Sequence, residues 1–444
     1  MLSQTFYSAL ARSMLAGEAT VDAVASRMEC ALGRNWRWAR NLAKRYLEHF
    51  GTDLRPRNKA VVAFLRRDEG LRDAWRRHRG AIRIAVWLWE PGGMQPTTAA
   101  QAWAVPPIDS VGALAEWLGM AAGELEWFAD LKRLTARSRA GEGNRLNHYN
   151  YKVLIKRDGA LRLIESPKNR LKATQRKILA EMLERIPVHQ AVHGFLKGRS
   201  IQTFVVPHAG KRVVLRMDLR DFFPSIRGGR IQALFRMAGY PEAVADLLGG
   251  ICMNATPRGF WRTLGRQVDP MRIADARSLY AWTHLPQGAP TSPALANLCA
   301  YKMDCRLAGL AKAAGADYTR YADDLAFSGG EEFERSVDRF AARAAAIAIE
   351  EGFQVHHRKT RVMRRGVRQH LAGIVVNAGV NVQRRDFDEL KAILTNCVRH
   401  GATSENREEH PAYKEHLRGR IAFVGMVNPA RGEKLRRIFE RIEW

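Results

Sequence analysis

Residues 321–327 read Tyr-Ala-Asp-Asp-Leu-Ala-Phe, which places two adjacent carboxylates, Asp323 and Asp324, among apolar residues. A second acidic stretch, residues 216–225, reads Arg-Met-Asp-Leu-Arg-Asp-Phe-Phe-Pro-Ser. Its first aspartate, Asp218, follows the apolar run of a predicted strand. An ionised carboxylate is costly to bury unless a positive charge compensates it. The two stretches therefore indicate one shared site for cations.

The acidic residues have the composition of a two-metal centre. Mg²⁺ prefers hard oxygen ligands, which carboxylates supply. Two such ions about 4 Å apart stabilise the attacking and the leaving oxygen of an in-line phosphoryl transfer. One carboxylate at a strand end and one or two in a tight hairpin fit this arrangement. A single aspartate is more often a turn or helix-cap residue, but two adjacent ones in an apolar frame are unusual in that role.

The spacing of apolar residues predicts a mixed domain of helices and strands around the acidic stretches. An Asp158-Gly159 pair is typical of the turn of a β-hairpin. The predicted segments are a hairpin over 151–165, a helix over 171–186, strands at 212–218 and around 318–327, and helices over 293–314 and 331–351. Strands and helices that alternate around a hairpin indicate an α+β fold.

The first 140 residues are predicted to be a separate helical extension. Apolar residues recur there at helical spacing, as in Leu114, Trp117, Leu118 and Leu125. A cluster of small, polar and charged residues over 138–144 is typical of a connection, so we place a domain boundary near residue 140.

The composition favours a nucleic acid as partner. The chain has 444 residues, 46% hydrophobic and 26% charged, which excludes a disordered protein. Its 72 Lys and Arg against 45 Asp and Glu give a formal net charge of +27. An excess of this size indicates a polyanionic partner.

The remaining composition favours a cytoplasmic protein. Five scattered cysteines without a Cys-x-x-Cys pair argue against a disulfide framework and against a zinc site. The N-terminus lacks the basic and apolar segments of a signal peptide, and no window of about 18 apolar residues occurs. We therefore expect no membrane partner.

Basic residues are dense near the N-terminus. Residues 34–83 contain fifteen Lys and Arg against five Asp and Glu, with Trp36, Trp38 and Trp75 interleaved. Basic side chains bind phosphates and aromatic rings stack on bases, which makes this segment a candidate for RNA binding. The alternative is a helical domain with core tryptophans and a solvated basic face. The candidate RNA-binding residues are Arg37, Arg40, Arg66, Arg67, Arg76 and Arg77.

Three motifs together resemble the palm of reverse transcriptases: Tyr-Ala-Asp-Asp at 321–324, Asp-Leu-Arg-Asp-Phe-Phe at 218–223 and Leu-Pro-Gln-Gly at 285–288. The order of the motifs also fits, and the resemblance runs from about residue 149 to 444. It implies an α+β right-hand polymerase fold behind the helical extension. The implied domains are a basic extension over 1–140, fingers and palm over 141–370, and a helical thumb over 371–444.

The resemblance implies a centre for two-metal nucleotidyl transfer. Asp218, Asp323 and Asp324 are implied to be catalytic, with two Mg²⁺ ions for which Mn²⁺ could substitute. Lys359, in a palm motif at 356–360, is implied to protonate the leaving pyrophosphate; a simple phosphate contact is the alternative. The implied metal ligands are Asp218, Leu219, Asp323 and Asp324.

The resemblance also implies a nucleotide site. Phe223 lies five residues after the first catalytic aspartate, where a bulky side chain under the sugar would clash with a 2′-OH and select dNTPs. An ordinary core Phe is the alternative. Gln287 would hydrogen-bond the nucleotide and Gly288 would let the backbone approach it, unless the motif is only a turn. Arg162 and Lys156 would hold the triphosphate from the fingers hairpin, unless they are solvated charges.

Gly-Phe-Leu-Lys-Gly-Arg-Ser at 194–200 resembles a segment of bacterial enzymes related to group II intron maturases and retrons. Within that group, Gln-His-Leu-Ala-Gly-Ile-Val-Val-Asn at 369–377 and the segment 419–444 most resemble retron reverse transcriptases. Arg384 and Arg385 precede a predicted helix where a thumb would grip a duplex, with a solvated face as the alternative. The resemblance implies an RNA-directed DNA polymerase that copies a structured non-coding RNA into cDNA from dNTPs. It further implies antiphage defence together with an effector protein.

Two elements differ from the retron pattern. Retron enzymes typically carry Asn-Ala-x-x-His before the catalytic strand, where this chain has Phe-Val-Val-Pro-His at 204–208, and Val-Thr-Gly where it has Leu-Ala-Gly at 371–373. A second hypothesis is therefore another defence-associated or intron-derived reverse transcriptase without a branched RNA–DNA product. A third is an inactive RNA-binding scaffold, which would have no need of three intact aspartates.

Overall fold

A computed structural model describes residues 2–51, 56–78, 80–86, 94–137, 147–156, 159–407 and 409–444. The helices of these residues are, in chain order, α1 (Gln4–Leu15), α2 (Val21–Leu32), α3 (Arg37–Phe50), α4 (Asn58–Arg67), α5 (Glu69–Arg77), α6 (Val111–Leu118), α7 (Ala122–Ala129), α8 (Leu134–Arg137), α9 (Asn169–Glu181), α10 (Ile201–Val205), α11 (Phe222–Ser225), α12 (Gly228–Met237), α13 (Glu242–Ile251), α14 (Pro270–Tyr280), α15 (Ser292–Cys299), α16 (Tyr301–Ala313), α17 (Glu331–Glu350), α18 (Arg384–His400), α19 (Tyr413–Val427) and α20 (Pro429–Phe439). Short 3-10 segments lie at Thr98–Ala100, Leu183–Arg185, Val206–His208, Phe260–Gln267, His357–Lys359 and Ala402–Ser404.

The strands pair in an antiparallel sense. In chain order they are β1 (Tyr149–Ile155), β2 (Leu161–Pro167), β3 (Val213–Arg220), β4 (Ala316–Tyr321), β5 (Asp324–Gly329), β6 (Gln354–Val355), β7 (Arg361–Arg364), β8 (His370–Leu371), β9 (Ile374–Val375) and β10 (Asn381–Val382). Strands β1 and β2 form a hairpin. A five-stranded sheet has the order β4-β5-β3-β6 with β7 also paired to β3, and β10-β9-β8 form a small sheet.

The chain divides into two compact units, each built from two separate segments. The first unit combines Met1–Pro187 with Phe223–Cys299, and the second combines Val188–Phe222 with Ala300–Trp444. The β1–β2 hairpin lies in the first unit, and the five-stranded sheet lies in the second.

In the first unit, helices α1–α5 pack around an apolar core because each presents apolar side chains on one face. Leu10, Met28, Leu42 and Leu65 are fully buried in it. Trp36 belongs to the same core and is only 7% exposed. Its ring therefore packs inside the helical region, which supports the core role among the two interpretations of the interleaved tryptophans.

The helical N-terminal region is joined to helix α13 within the same unit. The Arg57 guanidinium lies 2.9 Å from a carboxylate oxygen of Asp246, and the Asn58 backbone N–H donates to Glu242 at 2.8 Å. The predicted boundary near residue 140 lies outside the described residues, so the division into an extension, fingers with palm, and thumb stays a prediction.

The core of the second unit runs from the five-stranded sheet into the C-terminal helices. Val214 of β3 and Ala326 of β5 are fully buried together with Leu390 of α18, Leu417 of α19 and Leu435 of α20. This shared core anchors the sheet that carries the three aspartates.

The predicted α+β class is confirmed, and so is the hairpin, although Asp158 of its turn lies outside the described residues. Three segment predictions were wrong in detail. The helix predicted over 171–186 is α9, which ends at Glu181 and is followed by the 3-10 segment Leu183–Arg185. The single strand predicted around 318–327 is two strands, because the chain reverses at residues 322–323. The helix predicted over 293–314 is α15 followed by α16, which are separated at Ala300. No helix of the described residues is long and apolar enough to cross a membrane.

Candidate active site

The three predicted catalytic aspartates meet at one end of the five-stranded sheet. Strand β3 pairs with β5 so that Asp218 lies opposite Asp324. Directly opposed residues in such a pair have Cα atoms about 4.5–5.5 Å apart. Asp323 lies in the two-residue turn between β4 and β5, and its carbonyl accepts from the backbone N–H of Leu219 at 2.8 Å. The pairing register therefore brings the distant Asp218 to the sequence neighbours Asp323 and Asp324.

A buried ion pair holds the turn that carries Asp323. Ala322 has a φ of +54°, which is uncommon for a residue other than glycine. Its carbonyl accepts from Nη1 of Arg320 at 3.1 Å. The Arg320 guanidinium is fully buried and donates two hydrogen bonds of 2.7 Å to Asp304 of helix α16. The local shape of the turn thus depends on an ion pair between Arg320 of β4 and Asp304 of helix α16.

Two of the three carboxylates are in ion pairs. Nζ of Lys359 lies 3.1 Å from each carboxylate oxygen of Asp218. Arg216 donates to Oδ1 of Asp324 from Nη2 at 2.8 Å and from Nε at 3.0 Å. Asp323 has no ion pair with a side chain of the described residues. Burial, and then the neighbouring carboxylates Asp324 and Asp218, raise its pKa to about 6. Burial also raises the pKa of Asp324, against the opposing charge of Arg216.

The donor set suits a divalent ion, although the ligands are not arranged as a closed cage. Within the described residues, no group of three or more His, Cys, Asp or Glu side chains is placed to hold a metal ion as it stands. Carboxylate oxygens of Asp218 and Asp324 instead face Lys359 and Arg216. Three carboxylates supply hard oxygen donors, and the burial and neighbouring carboxylates that raise the pKa of Asp323 suit a bound cation such as Mg²⁺ or Mn²⁺. The Leu219 side chain is buried and apolar, so only its carbonyl could be a ligand.

In the other unit, the predicted triphosphate residues lie on the β1–β2 hairpin. The side chains of β2 alternate, so that Arg162 is exposed between the buried Leu161 and Leu163. Lys156 is half-buried, and its backbone N–H closes the hairpin by donating to the Ala160 carbonyl at 2.8 Å. Both residues therefore lie near the turn of the hairpin, and their contact with a triphosphate stays a prediction.

The predicted nucleotide residues Gln287 and Gly288 pack against the same strand. The Gln287 carbonyl accepts from the backbone N–H of Glu165 at 2.7 Å. Gly288 has a φ of +123°, and a Cβ there would lie 3.0 Å from the Glu165 carbonyl oxygen. This position therefore requires glycine for close approach as well as for conformation. The structure brings this turn and the strand of Arg162 together.

The sequence did not reveal the buried hydrogen-bond network of Glu165, which lies between β2 and the residues that precede the turn of Gln287 and Gly288. Its carboxylate accepts from Asn254 at 2.8 Å and from Thr256 at 3.1 Å, and Nε2 of His284 lies 2.8 Å from its second oxygen. Nδ1 of His284 lies 2.7 Å from the Trp282 carbonyl. A signal was present, because strand alternation places Glu165 on the same inward face as Leu161 and Leu163.

The two adjacent phenylalanines of the first acidic motif have different surroundings. Phe222 is buried, and its ring centroid lies 5.5 Å from that of Phe353. Phe223 is only half-buried. The core role thus falls to Phe222, and selection of the sugar by Phe223 stays a prediction.

The predicted RNA-binding arginines are all exposed. Some have local partners, since Arg40 lies 2.7 Å from Asp22, Arg76 pairs with Asp73, and Arg66 pairs with Gln4. At the start of α18, Arg384 and Arg385 are also exposed. Their exposure permits contact with phosphates, and RNA binding by these arginines stays a prediction.

His208 joins the two strands of the acidic hairpin. Nδ1 lies 2.7 Å from the Ser328 hydroxyl and Nε2 lies 2.7 Å from the Thr319 hydroxyl. Because Thr319 donates its own hydrogen to the Phe204 carbonyl at 3.0 Å, it accepts from Nε2. The ring is fully buried, and this burial lowers the pKa of His208 to about 4. It is therefore a neutral structural residue.

We expect His208 to make the stability of the protein depend on pH. Its pKa falls from 6.5 in the unfolded chain to about 4 in the folded one, so the unfolded state binds the proton first as pH falls. Stability should decrease from about pH 6.5 to about pH 4, by up to about 3 kcal/mol for this residue. Urea unfolding at a series of pH values measures the free energy of unfolding. Its decrease between about pH 6.5 and about pH 4 should be shallower for His208→Gln than for the wild type. Parallel curves for the two proteins would contradict this role.

Comparison with known proteins gives a family match over the part of the chain that carries both acidic motifs. Residues 154–388 match the protein family described as Reverse transcriptase (RNA-dependent DNA polymerase). The retron Mx65 reverse transcriptase of Myxococcus xanthus is 42% identical over 300 residues, which cover 66% of this chain and 64% of that protein. The retron Mx162 reverse transcriptase of the same organism is 38% identical over 347 residues, covering 75% and 67%. The retron Ec86 reverse transcriptase of Escherichia coli is 29% identical over 284 residues, covering 64% and 77%. The chain thus spans about two thirds of the length of the two Myxococcus relatives.

Proposed function

The chain belongs to the reverse transcriptase family, and on that premise we propose that it is an RNA-directed DNA polymerase of the retron type. It copies a structured non-coding RNA into cDNA from dNTPs, with its elements arranged as fingers, palm and thumb. The observation that carries this proposal is the register of β3 and β5, which sets Asp218 opposite Asp324 with Asp323 in the adjoining turn.

The aspartates of this centre hold the divalent ions that reverse transcriptases generally use. We assign two ions to the carboxylates of Asp218, Asp323 and Asp324 and the carbonyl of Leu219. When bound, Mg²⁺ or Mn²⁺ lowers the barrier by stabilising charge on the attacking and leaving oxygens. Arg216 orients Asp324 through its two hydrogen bonds.

Lys359 has two successive contacts in this proposal. In the free protein it orients Asp218, with Nζ 3.1 Å from both oxygens. The backbone supports this placement, because the His356 N–H donates to the Asp218 carbonyl at 2.7 Å. During the reaction the ammonium group donates its proton to the leaving pyrophosphate, which acquires negative charge as the bond breaks.

The nucleotide is bound by residues of the first unit. Arg162 and Lys156 contact the triphosphate, since charge-assisted bonds from basic side chains to phosphate are strong. Gln287 contacts the nucleotide, and the absence of a side chain at Gly288 keeps the turn close to β2. The hydrogen bond from the Glu165 backbone N–H to the Gln287 carbonyl holds strand β2, which carries Arg162, against the turn that carries Gln287.

We expect Phe223→Ala to relax the discrimination between dNTPs and rNTPs. The mechanism is steric, so the change should appear mainly as faster incorporation of rNTPs, with little effect on dNTPs. Single-nucleotide incorporation with each type of substrate measures the ratio. Phe222→Leu is a suitable control, because Phe222 is the buried neighbour that packs on Phe353. An unchanged ratio in the Phe223 variant would exclude this side chain from selection of the sugar.

We expect the N-terminal arginines to add RNA affinity without adding chemistry. Each phosphate contact releases a counterion, with a slope of about −0.7 per phosphate in log affinity against log salt for single strands. Replacing Arg37, Arg67 and Arg77 by Gln should make the slope shallower by up to about 2. Primer extension at saturating substrate should be little affected. The control variant replaces two exposed arginines of α17, Arg339 and Arg343. If the N-terminal variant and the control variant have the same dependence of RNA affinity on salt, the N-terminal arginines are only solvated surface.

The partners of the proposed enzyme are its template RNA, its cDNA product and an effector protein of a defence system. Sequencing of the nucleic acid that purifies with the protein tests this directly. We expect a defined RNA covalently attached to DNA. RNA and cDNA without such a junction would favour a defence-associated or intron-derived enzyme without a branched product, and RNA without any cDNA would favour an inactive scaffold.

A further inference from the structure

A short segment before the first catalytic strand is fixed against the turn of the catalytic aspartates. Residues Ala191 and His193 run beside β4, where the His193 N–H donates to the Arg320 carbonyl at 2.7 Å. The Arg320 N–H in turn donates to the Ala191 carbonyl at 2.7 Å. The segment therefore adds a short parallel bridge to the exposed edge of this sheet, next to Ala322.

Gly194 brings the backbone of this segment into contact with the turn. A Cβ at Gly194 would lie 2.8 Å from the backbone nitrogen of Ala322, so a larger residue would force the two apart. After the following loop, Arg199 returns to the segment and donates to the Val192 carbonyl at 3.1 Å. Helix α10 then begins directly, with Ser200 as its cap. Both ends of the loop are thus held.

The residue between these fixed points, Phe195, has an unfavourable position in two respects. Its φ is +63°, the left-handed region that a bulky side chain rarely adopts. Its side chain is also 50% exposed, although large aromatic residues are usually buried. The ring centroid lies 6.2 Å from that of Tyr321, two residues before Asp323. Strain of this kind persists where the surrounding structure imposes it, and it is concentrated at functional sites.

We propose that Phe195 binds the primer strand, with its ring packed against the nucleotide that carries the attacking 3′-OH. The inference rests on the proposed polymerase function. That hydroxyl must reach the carboxylates of Asp218 and Asp323, so the nucleotide bearing it passes beside Tyr321. Aromatic side chains bind single nucleotides through the faces of bases and sugars without sequence preference. Lys197, exposed two residues later, adds positive charge beside the adjoining phosphates.

The test compares primer binding by the full chain with and without this ring. The protein is titrated, without dNTPs, with a fluorescent RNA template that carries an annealed DNA primer, and separately with the same template alone. The variants are Phe195→Ala, which removes the ring, and Phe195→Tyr, which keeps it. Val367→Ala is the matched control, because Val367 is 54% exposed and follows the β7 end that pairs with Val213. That end of β3 lies about 16 Å from Asp218 along the strand.

We expect Phe195→Ala to raise the Kd of the primed template about tenfold and to leave the Kd of the unprimed template unchanged. Phe195→Tyr and Val367→Ala should both bind like the wild type. The melting temperature of Phe195→Asn should not fall, because asparagine tolerates a positive φ, while its Kd for the primed template should rise as in the Ala variant. Unchanged primer affinity in the Ala variant would overturn the proposal, and so would an equal loss on both templates. A wild-type protein that binds the primed template without extending it would refute the polymerase function, while the Kd comparison would still decide the role of Phe195.

Discussion

Asp323→Asn is expected to abolish DNA synthesis while the protein remains folded. The variant loses one charged ligand from the proposed metal centre, and single electrostatic contributions of this kind are worth about 3–4 kcal/mol, or 10²- to 10³-fold in rate. Folding should not suffer, because burial and the neighbours Asp324 and Asp218 already raise the pKa of Asp323 to about 6. A neutral side chain relieves that repulsion. Single-turnover primer extension measures the loss, and circular dichroism with thermal melting establishes the fold.

The control for this prediction is another aspartate of the same hairpin. Asp317 lies on β4 opposite Ser328 and pairs with Lys211 at 2.6 Å, at the end of the hairpin away from the turn. Asp317→Asn should therefore extend primers at close to the wild-type rate. Substantial extension by a folded Asp323→Asn protein would exclude this carboxylate as a metal ligand, whatever the behaviour of the control.

Arg320→Met is expected to destabilise the protein by about 3–5 kcal/mol, because it leaves the carboxylate of Asp304 buried without its partner. Both side chains are completely buried, and the pair has two hydrogen bonds of 2.7 Å. The hydroxyl of Tyr318 donates to the same carboxylate at 2.8 Å, but it cannot supply a compensating charge. Chemical denaturation followed by circular dichroism measures the free energy of unfolding.

A paired variant separates the stability of the protein from the shape of the turn at Ala322. Replacing Asp304 by Leu together with Arg320→Met removes both charges and should restore much of the stability, as apolar replacements of buried ion pairs often do. Extension should stay slow, since the bond from Arg320 to the Ala322 carbonyl is still missing. A single variant as stable as the wild type would contradict the burial argument. A paired variant with full activity would show that the turn keeps its shape without Arg320.

The sequence by itself determined the features that depend on short-range patterns. Alternation around Gly159 predicted the β1–β2 hairpin, and helical spacing predicted α17 almost to its ends, because both periods are local properties of the backbone. The two acidic motifs could be recognised for a related reason. Burying a carboxylate among apolar residues costs free energy in any fold. Asp218, Asp323 and Asp324 can therefore be recognised before any contact is known.

Tertiary structure decided which distant residues support those motifs. Arg320 on β4 finds Asp304 on α16, and Glu165 on β2 finds His284, through packing that no periodicity in the sequence encodes. The same holds for Phe195, whose exposure and positive φ follow from the segment fixed against Ala322. Apolar patterns specify which face of an element is buried, but the partner that a buried charge meets depends on how whole elements pack. For this reason the carboxylates of the proposed metal centre could be predicted from the sequence, whereas the residues that position them could not.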